Sequence, residues 1–426
     1  MTTGAMTAAP ALRDRPAHGR NTYDPAAVRG DFPILSRTIY NKPLRFLDNG
    51  ASAQKPQSVL DAVQNSYARE YANVHRGAHY LSGAATEAYE GVREKVAGLL
   101  NAPAPETIVF TKNVTEAINL VACSWADAHL SAGDEVVITQ MEHHANIVPW
   151  QLLRDRKGIV LRVAPVEDDG RFEVEKFAAL LTERTKLVSV THVSNVLGTV
   201  VPVAEVTRLA QAAGACVLID GAQGVVHQPV DVQAIGCDFY AFTGHKLYGP
   251  TGIGVLYGTA ERLESMPPWQ GGGDMIESVS FEKTVYADPP LRFEAGTPPF
   301  VQAIGLGAAI DYVQALGMEA IGAHEHLLCN HAMATLRAVP GVRPIGEAPD
   351  KAAIVSFVVD GLHSMDVGAI LDRQGIAVRV GHHCAQPLMA RMGIESTVRA
   401  SMALYNTTDE IDALAAGIRH AQKLLA

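Results

Sequence analysis

The middle of the chain alternates short buried-strand patterns with helical ones, and few architectures accommodate that order. TIVF at 107–110, EVVIT at 135–139, KLVSVTHV at 186–193, CVLID at 216–220 and DFYAF at 238–242 are apolar, with formal charge only at their ends. Between them lie helix-like stretches such as VTEAINLVACSWADAHL and VAEVTRLAQAAG. A strand that is apolar throughout must be covered on both faces, so the pattern predicts an α/β fold with a mostly parallel sheet and helices on either side. Ligands of such sheets gather at the carboxyl ends of the strands, and the residues just after each run are therefore the informative ones.

After about residue 300 the pattern changes. AIGLGAAIDYVQALGMEAIGAHEHLLCNHAMATLRAV predicts a long helix, and AIVSFVV and IAVRV predict shorter strands. This implies a smaller α+β domain over 306–426, packed with an N-terminal segment at 23–45, beside a large domain over 46–305. The 426 residues suit such a division better than one ordinary core. A net charge of -10 argues against nucleic acid as the main partner. No apolar run approaches the roughly 20 residues that span a bilayer. Residues 1–22 lack the apolar core of a secretory signal and read as a flexible tail, although their Ala, Arg-bearing and acid-poor composition is shared with organelle transit peptides.

Five cysteines, at 123, 216, 237, 329 and 384, form no CxxC pair. That usage fits a reducing cytoplasm and gives no metal signature. Cys216 and Cys237 lie in apolar, strand-like text and read as core residues. Cys384 lies in VGHHCAQP, polar text of a different kind.

The densest motif is AFTGHKLYGPTGIGVLYG at 241–258, a strand that runs into Thr-Gly-His-Lys. A lysine at a buried strand end is costly unless it has a partner or a reaction to perform. Alone, Lys246 could be an ordinary turn lysine. CVLID also ends in an acid, Asp220, which alone could cap a helix or bind a metal. Together the two suit an aldehyde cofactor with a pyridine ring, pyridoxal 5′-phosphate (PLP): the lysine bonds the aldehyde, and the aspartate keeps the ring nitrogen protonated. A phosphate site is then needed. FTKNVTEAINLVA opens a helix at about Thr115, whose N-terminus suits an anion, though Thr115 equally suits a helix cap. Thr243 and His245 offer further phosphate donors, or merely satisfy the turn. In MEHHANIVPW, His143 or His144 is placed to stack on a flat cofactor.

TGHKLYGPTG, MEHHANIVPW, THVSNVLGTV, RFEAGTP and RVGHHCAQP, spread in order from about residue 25 to the end, resemble the SufS-type (group II) cysteine desulfurases. These belong to the class V aminotransferase branch of fold-type I PLP enzymes. The resemblance implies a large domain with a mostly parallel, seven-stranded-type sheet and a small C-terminal domain that carries the cysteine loop. It implies that Lys246 holds PLP covalently, that His143 stacks on the ring, and that Asp220 and Gln223 face the pyridine nitrogen and phenolic oxygen. Thr115, Thr243 and His245 would hold the phosphate, and Thr297 would reach the phosphate of the neighbouring subunit of a homodimer. Asn195 and Arg399 would bind the substrate carboxylate, with Arg379 and His75 on the substrate side and Arg76 beside His75 near the entrance.

The activity implied is conversion of L-cysteine to L-alanine, with the sulfur left as a persulfide on Cys384 and passed to an acceptor for iron–sulfur cluster assembly. His382, His383 and Arg379 would give the thiolate an electropositive setting. Two departures stand out. Val398 takes the place of a frequent Cys that is not the sulfur carrier. In DGLHSMDVG, Met365 replaces a second histidine often seen in relatives that use the zinc-containing SufU acceptor, which leans toward a SufE-like one. Selenocysteine lyase, aminotransferase and non-catalytic scaffold remain the competing readings of the residues.

Overall fold

A computed structural model describes residues 23–425; the tail expected over 1–22 lies outside the described residues. Seven strands form the main sheet: β1 (Ile108–Thr111), β2 (Glu135–Thr139), β3 (Val160–Ala164), β4 (Thr185–Thr191), β5 (Cys216–Asp220), β6 (Phe239–Thr243) and β7 (Gly254–Gly258). Their order is β1-β7-β6-β5-β4-β2-β3. All run parallel except β7, which is antiparallel to both neighbours. Side chains of one strand alternate between two apolar layers: Val217 and Ile219 join one core, Cys216 and Leu218 the other. That two-sided burial is why these strands read as unbroken apolar runs.

Two strands escape that pattern for different reasons. The edge strand β3 is half open to solvent, and its Arg162 reaches across to Glu135 at 2.9 Å. In β7, glycines begin and end the strand. A Cβ on Gly254 would come within 2.5 Å of the Asn113 backbone, so only glycine lets β7 lie this close to the turn after β1.

The long helix expected after residue 300 is two helices. Helices α1 (Phe300–Leu316) and α2 (Met318–Arg337) meet at a 77° bend. Gly317 makes it, with φ 88° and ψ 119°, a backbone region that β-carbon-bearing residues avoid. Helix α1 packs on the main sheet's side of the molecule, whereas α2 covers a second sheet. Among the described residues no single helix is long and apolar enough to cross a membrane.

The second sheet contains β8 (Val342–Ile345), β9 (Ile354–Val359), β10 (Arg379–Gly381) and β11 (Thr397–Ser401), antiparallel in the order β8-β9-β11-β10. Helix α3 (Thr408–Leu425) and α2 bury its apolar face. The run IAVRV divides: Ile376–Ala377 pairs in parallel with Arg45–Phe46, and only Arg379 onward joins β10. The N-terminal stretch is tied to the same region, with Tyr23 donating to the Leu404 carbonyl at 2.6 Å and Arg29 paired with Glu410 at 2.9 Å.

Candidate active site

The carboxyl ends of β2, β4 and β6 open onto a cavity of about 200 Å³ that the second sheet closes from the other side. The main-sheet side contributes His143, Asn195, Thr243, His245 and Lys246, together with Thr115 at the head of the helix after β1. The second sheet contributes Arg379, His383, Cys384 and Arg399. Two distant parts of the sequence thus face each other across one small space.

Lys246 follows β6 through a tight turn in which Gly244 donates its N–H to the Ile253 carbonyl at 2.9 Å. A Cβ on Gly244 would lie 2.7 Å from the Ile253 side chain. Burial pushes the lysine pKa down to about 8, with the nearby Asp220 carboxylate opposing that shift. Asp220 ends β5 fully buried and accepts one hydrogen bond, from Ala222 N–H at 3.0 Å; burial raises its pKa. A reactive amine and a carboxylate in want of a cation therefore sit together.

His143 follows β2, and its Nδ1 accepts the Ala145 N–H at 3.1 Å. Burial, reinforced by Lys246, pushes its pKa down to about 3, so its ring is neutral. The adjacent Glu142 is held from several directions: it accepts from Thr139 at 2.6 Å, from the Thr191 N–H at 3.0 Å and from Asn146 at 2.7 Å. This buried network fixes the backbone from which His143 projects.

At the phosphate end, the helix Val114–Leu120 is capped by Asn113, whose side chain accepts the Glu116 N–H at 2.9 Å. The cap is therefore not Thr115, which is the second residue of the helix and lines the cavity. The buried Thr243 hydroxyl has no hydrogen-bond partner among the described residues. His245 is neutral, its pKa pushed down to about 4 by burial and by Lys246. A flat aldehyde bearing a phosphate fits this set: a buried amine for the aldehyde, an orphaned hydroxyl and a helix N-terminus for the phosphate, and Asp220 for a ring cation.

Arg399, on β11, is almost fully buried and donates to the Asn195 carbonyl at 2.9 Å and to Asp48 at 3.2 Å. Its Nε is a buried donor without a partner among the described residues. Burial lowers its pKa to about 10, which leaves it charged at neutral pH. Asp48 carries no signal in the sequence beyond the turn-forming Asp-Asn-Gly after a short apolar segment, and was not anticipated.

The Cys384 loop follows β10. His383 and Cys384 both take left-handed backbone angles, φ 54° and 57°. Cys384 is half-buried. His383 donates or accepts at 2.8 Å with Thr397, and burial, followed by Arg399 and Arg379, pushes its pKa down to about 3. The expected positive charge on His383 is therefore absent at neutral pH; the cations that share the cavity with the thiol are Lys246, Arg399 and the expected Arg379.

The remaining expected residues lie as follows. His75 lies outside the cavity lining: its ring bonds Glu90 at 2.8 Å, and Arg76 pairs with Asp274 at 3.1 Å. Gln223 gives its amide N–H to the Gly50 carbonyl at 2.8 Å and reaches the cavity only through that neighbour. Asn195 gives an amide N–H to the His383 carbonyl at 2.9 Å, so part of its donor capacity holds the cysteine loop. Thr297 is exposed, just before α1, and does not line this chain's cavity.

Residues 45–414 match the family model described as aminotransferase class-V. A cysteine desulfurase of Dickeya dadantii is 56% identical over 93% of this chain and 97% of its own length. A cysteine desulfurase of Synechococcus elongatus is 53% identical over 97% of this chain, which spans 66% of that longer protein. The crystal structure of the Escherichia coli cysteine desulfurase CsdA, in an S-sulfonic acid form, superposes with a TM-score of 0.89 at 41% identity, covering 95% of this chain and 100% of that one. The cystine C–S lyase C-DES, solved with its product cysteine persulfide, gives a TM-score of 0.79 at 27% identity, covering 91% and 98%. A C-DES variant carries glycine covalently linked to its PLP cofactor. The chain belongs to the class V aminotransferases of fold-type I and, within them, to the PLP-dependent cysteine desulfurases.

Proposed function

We propose that the chain is a desulfurase of the SufS type that moves the sulfur of L-cysteine onto Cys384 and hands it to a SufE-like acceptor for iron–sulfur cluster assembly. The observation that carries this reading is the placement of Cys384 in the wall of the Lys246 cavity, on a loop from the opposite sheet. A bystander thiol has no need of a strained loop that faces a buried amine. We further propose a homodimer in the cytoplasm, in which the exposed Thr297 serves the neighbouring subunit's phosphate site.

PLP would be held by Lys246, Asp220, Thr115, Thr243 and His245, and when bound it would supply an electron sink for charge developing at the substrate's Cα. Neutral His143 offers a flat face to an aromatic ring without adding charge beside Lys246. The partnerless Nε of Arg399 is a donor available to the substrate carboxylate, and Asp48 and Asn195 fix the guanidinium while it binds. Lys246, with its pKa near 8, can hold or release a proton at Nζ near neutral pH and so move the Cα proton. Cys384 Sγ, as thiolate, attacks the substrate sulfur: the S–S bond forms, the substrate's C–S bond breaks, and its electron pair stays with the carbon skeleton, which is protonated and leaves as alanine.

The test is Cys384→Ala. It should retain the visible absorbance of lysine-bound PLP and lose persulfide formation and cysteine-dependent alanine release. Alanine release at the native rate in that variant would refute the assignment of Cys384 as sulfur carrier.

A further inference from the structure

His144 has no place in the chemistry above, yet it makes the closest connection between the two halves of the site. Its backbone N–H donates to the Cys384 carbonyl at 2.7 Å. Its ring Nε2 accepts the N–H of Gln386, two residues further on, at 3.1 Å. His144, in the segment after β2, thereby holds the loop at two points, the Cys384 carbonyl and the Gln386 N–H just beyond it. A third link, Asn195 Nδ2 to the His383 carbonyl at 2.9 Å, comes from the segment after β4. On its own side the loop is braced by His383 against Thr397 at 2.8 Å and by the Cys384 N–H, which donates to His382 Nδ1 at 3.1 Å.

The loop needs such bracing. Two successive residues with side chains, His383 and Cys384, occupy left-handed backbone angles that relax when nothing holds them. Neither His144 bond reaches the thiol, so the contribution is geometric: both fix where the backbone carrying Sγ stands relative to the cavity. The ring bond also demands a free lone pair on Nε2. Burial, with the His382 ring nearby, lowers the His144 pKa and keeps that lone pair available at neutral pH.

We propose that His144 is a positioning residue whose ring latches the Cys384 loop to the main sheet, holding the sulfur over the cavity without taking part in proton transfer. The inference rests on the reading of Cys384 as the sulfur carrier. Release of the latch frees the loop, and a freed loop exposes the thiol more often while presenting it to substrate less often.

The test compares His144→Phe, which keeps a flat ring without an acceptor, with His144→Gln, whose amide oxygen can take the Gln386 N–H. In the holoenzyme, iodoacetamide labelling of Cys384 is followed by peptide mass spectrometry, because Cys123 is also exposed. Loss of one net hydrogen bond predicts labelling about fivefold faster in the phenylalanine variant, and kcat for alanine formation about fivefold lower at unchanged KM for cysteine. The glutamine variant should return both values most of the way to native. Native labelling and native kcat in the phenylalanine variant would overturn the latch, and so would a glutamine variant as impaired as the phenylalanine one. Failure of the underlying reading is recognised separately, by native alanine release from Cys384→Ala.

Discussion

Thr243→Val separates the needs of the empty fold from those of the cofactor, because its two effects have opposite signs. The Thr243 side chain is fully buried at the end of β6, and its hydroxyl has no partner among the described residues. A buried hydroxyl without a hydrogen bond costs about 1–3 kcal/mol. Valine keeps the shape, suits a strand, and removes that cost. The cofactor-free variant should therefore be more stable than the native chain by about 1 kcal/mol or more, read as a higher denaturant midpoint at unchanged slope. Binding goes the other way. A hydrogen bond to a charged phosphate oxygen is worth about 1.5–3 kcal/mol, so its loss should weaken PLP binding about 10- to 150-fold, at 1.4 kcal/mol per tenfold. The Lys246 bond to the aldehyde is common to both proteins and cancels from the ratio. Equilibrium titration of the cofactor-free proteins with PLP, followed by visible absorbance, measures it. Equal PLP affinities, or a valine variant less stable than native when cofactor-free, would refute the reasoning.

Two further outcomes follow from the same geometry. Arg399→Lys keeps a positive charge but cannot present a planar fork, so KM for cysteine should rise by at least about tenfold while the bound-cofactor spectrum is unchanged; steady-state kinetics with a KM within twofold of native would exclude Arg399 as the carboxylate partner. Lys246→Met in the cofactor-free protein should be stabilising at pH 7. The buried ammonium has a pKa near 8 instead of the ordinary 10.5, a net shift that already includes the opposing attraction of Asp220, and at 1.36 kcal/mol per pKa unit that disfavours the folded state by roughly 3 kcal/mol. Because the folded pKa is the lower one, the penalty is present in full below pH 8 and fades between pH 8 and 10.5. The stability gap between the two proteins should shrink accordingly from pH 7 to pH 10, and a constant gap would contradict the assignment.

The parts of the fold legible in the sequence are those buried on both faces. The runs that gave β1, β2, β4, β5 and β6 carry no charge in their interiors, and each structural strand lies within a residue or two of its run. Strand β3 escaped because an edge strand tolerates Arg162 in its middle, and β7 because its glycines serve a close approach to Asn113. Strand β11, TVRAS, reads as polar text, yet all five residues are buried: its arginine is neutralised from elsewhere, by Asp48. Gly317 was visible in the run after residue 300, but periodicity alone does not distinguish a tolerated helical glycine from a left-handed break. In the site, Lys246, His143, Thr243, His245 and Cys384 were legible because each sits in a dense local motif. Asp48 was not, because its partner lies 351 residues away, and His144, read only as an alternative to His143 for stacking, has its Gln386 partner 242 residues away.

The histidines around the cavity illustrate how far composition misleads about charge. His143, His245 and His383 would supply three positive charges if protonated, but burial holds their pKa values at about 3, 4 and 3. Each is a neutral ring at physiological pH. The positive charge around Cys384 comes instead from the Arg379 guanidinium and from Lys246 and Arg399, the last two with lowered pKa values, near 8 and 10, that still leave them largely protonated at neutral pH. Lys246 belongs to the main sheet and the two arginines to the second, so the electrostatic setting of the sulfur, like its position, exists only when the two sheets face each other. Uncharged histidines have a further consequence: the cavity of about 200 Å³ avoids crowding three more cations beside Lys246, Arg379 and Arg399. Sequence motifs name the residues of such a site, but burial decides which of them carry charge.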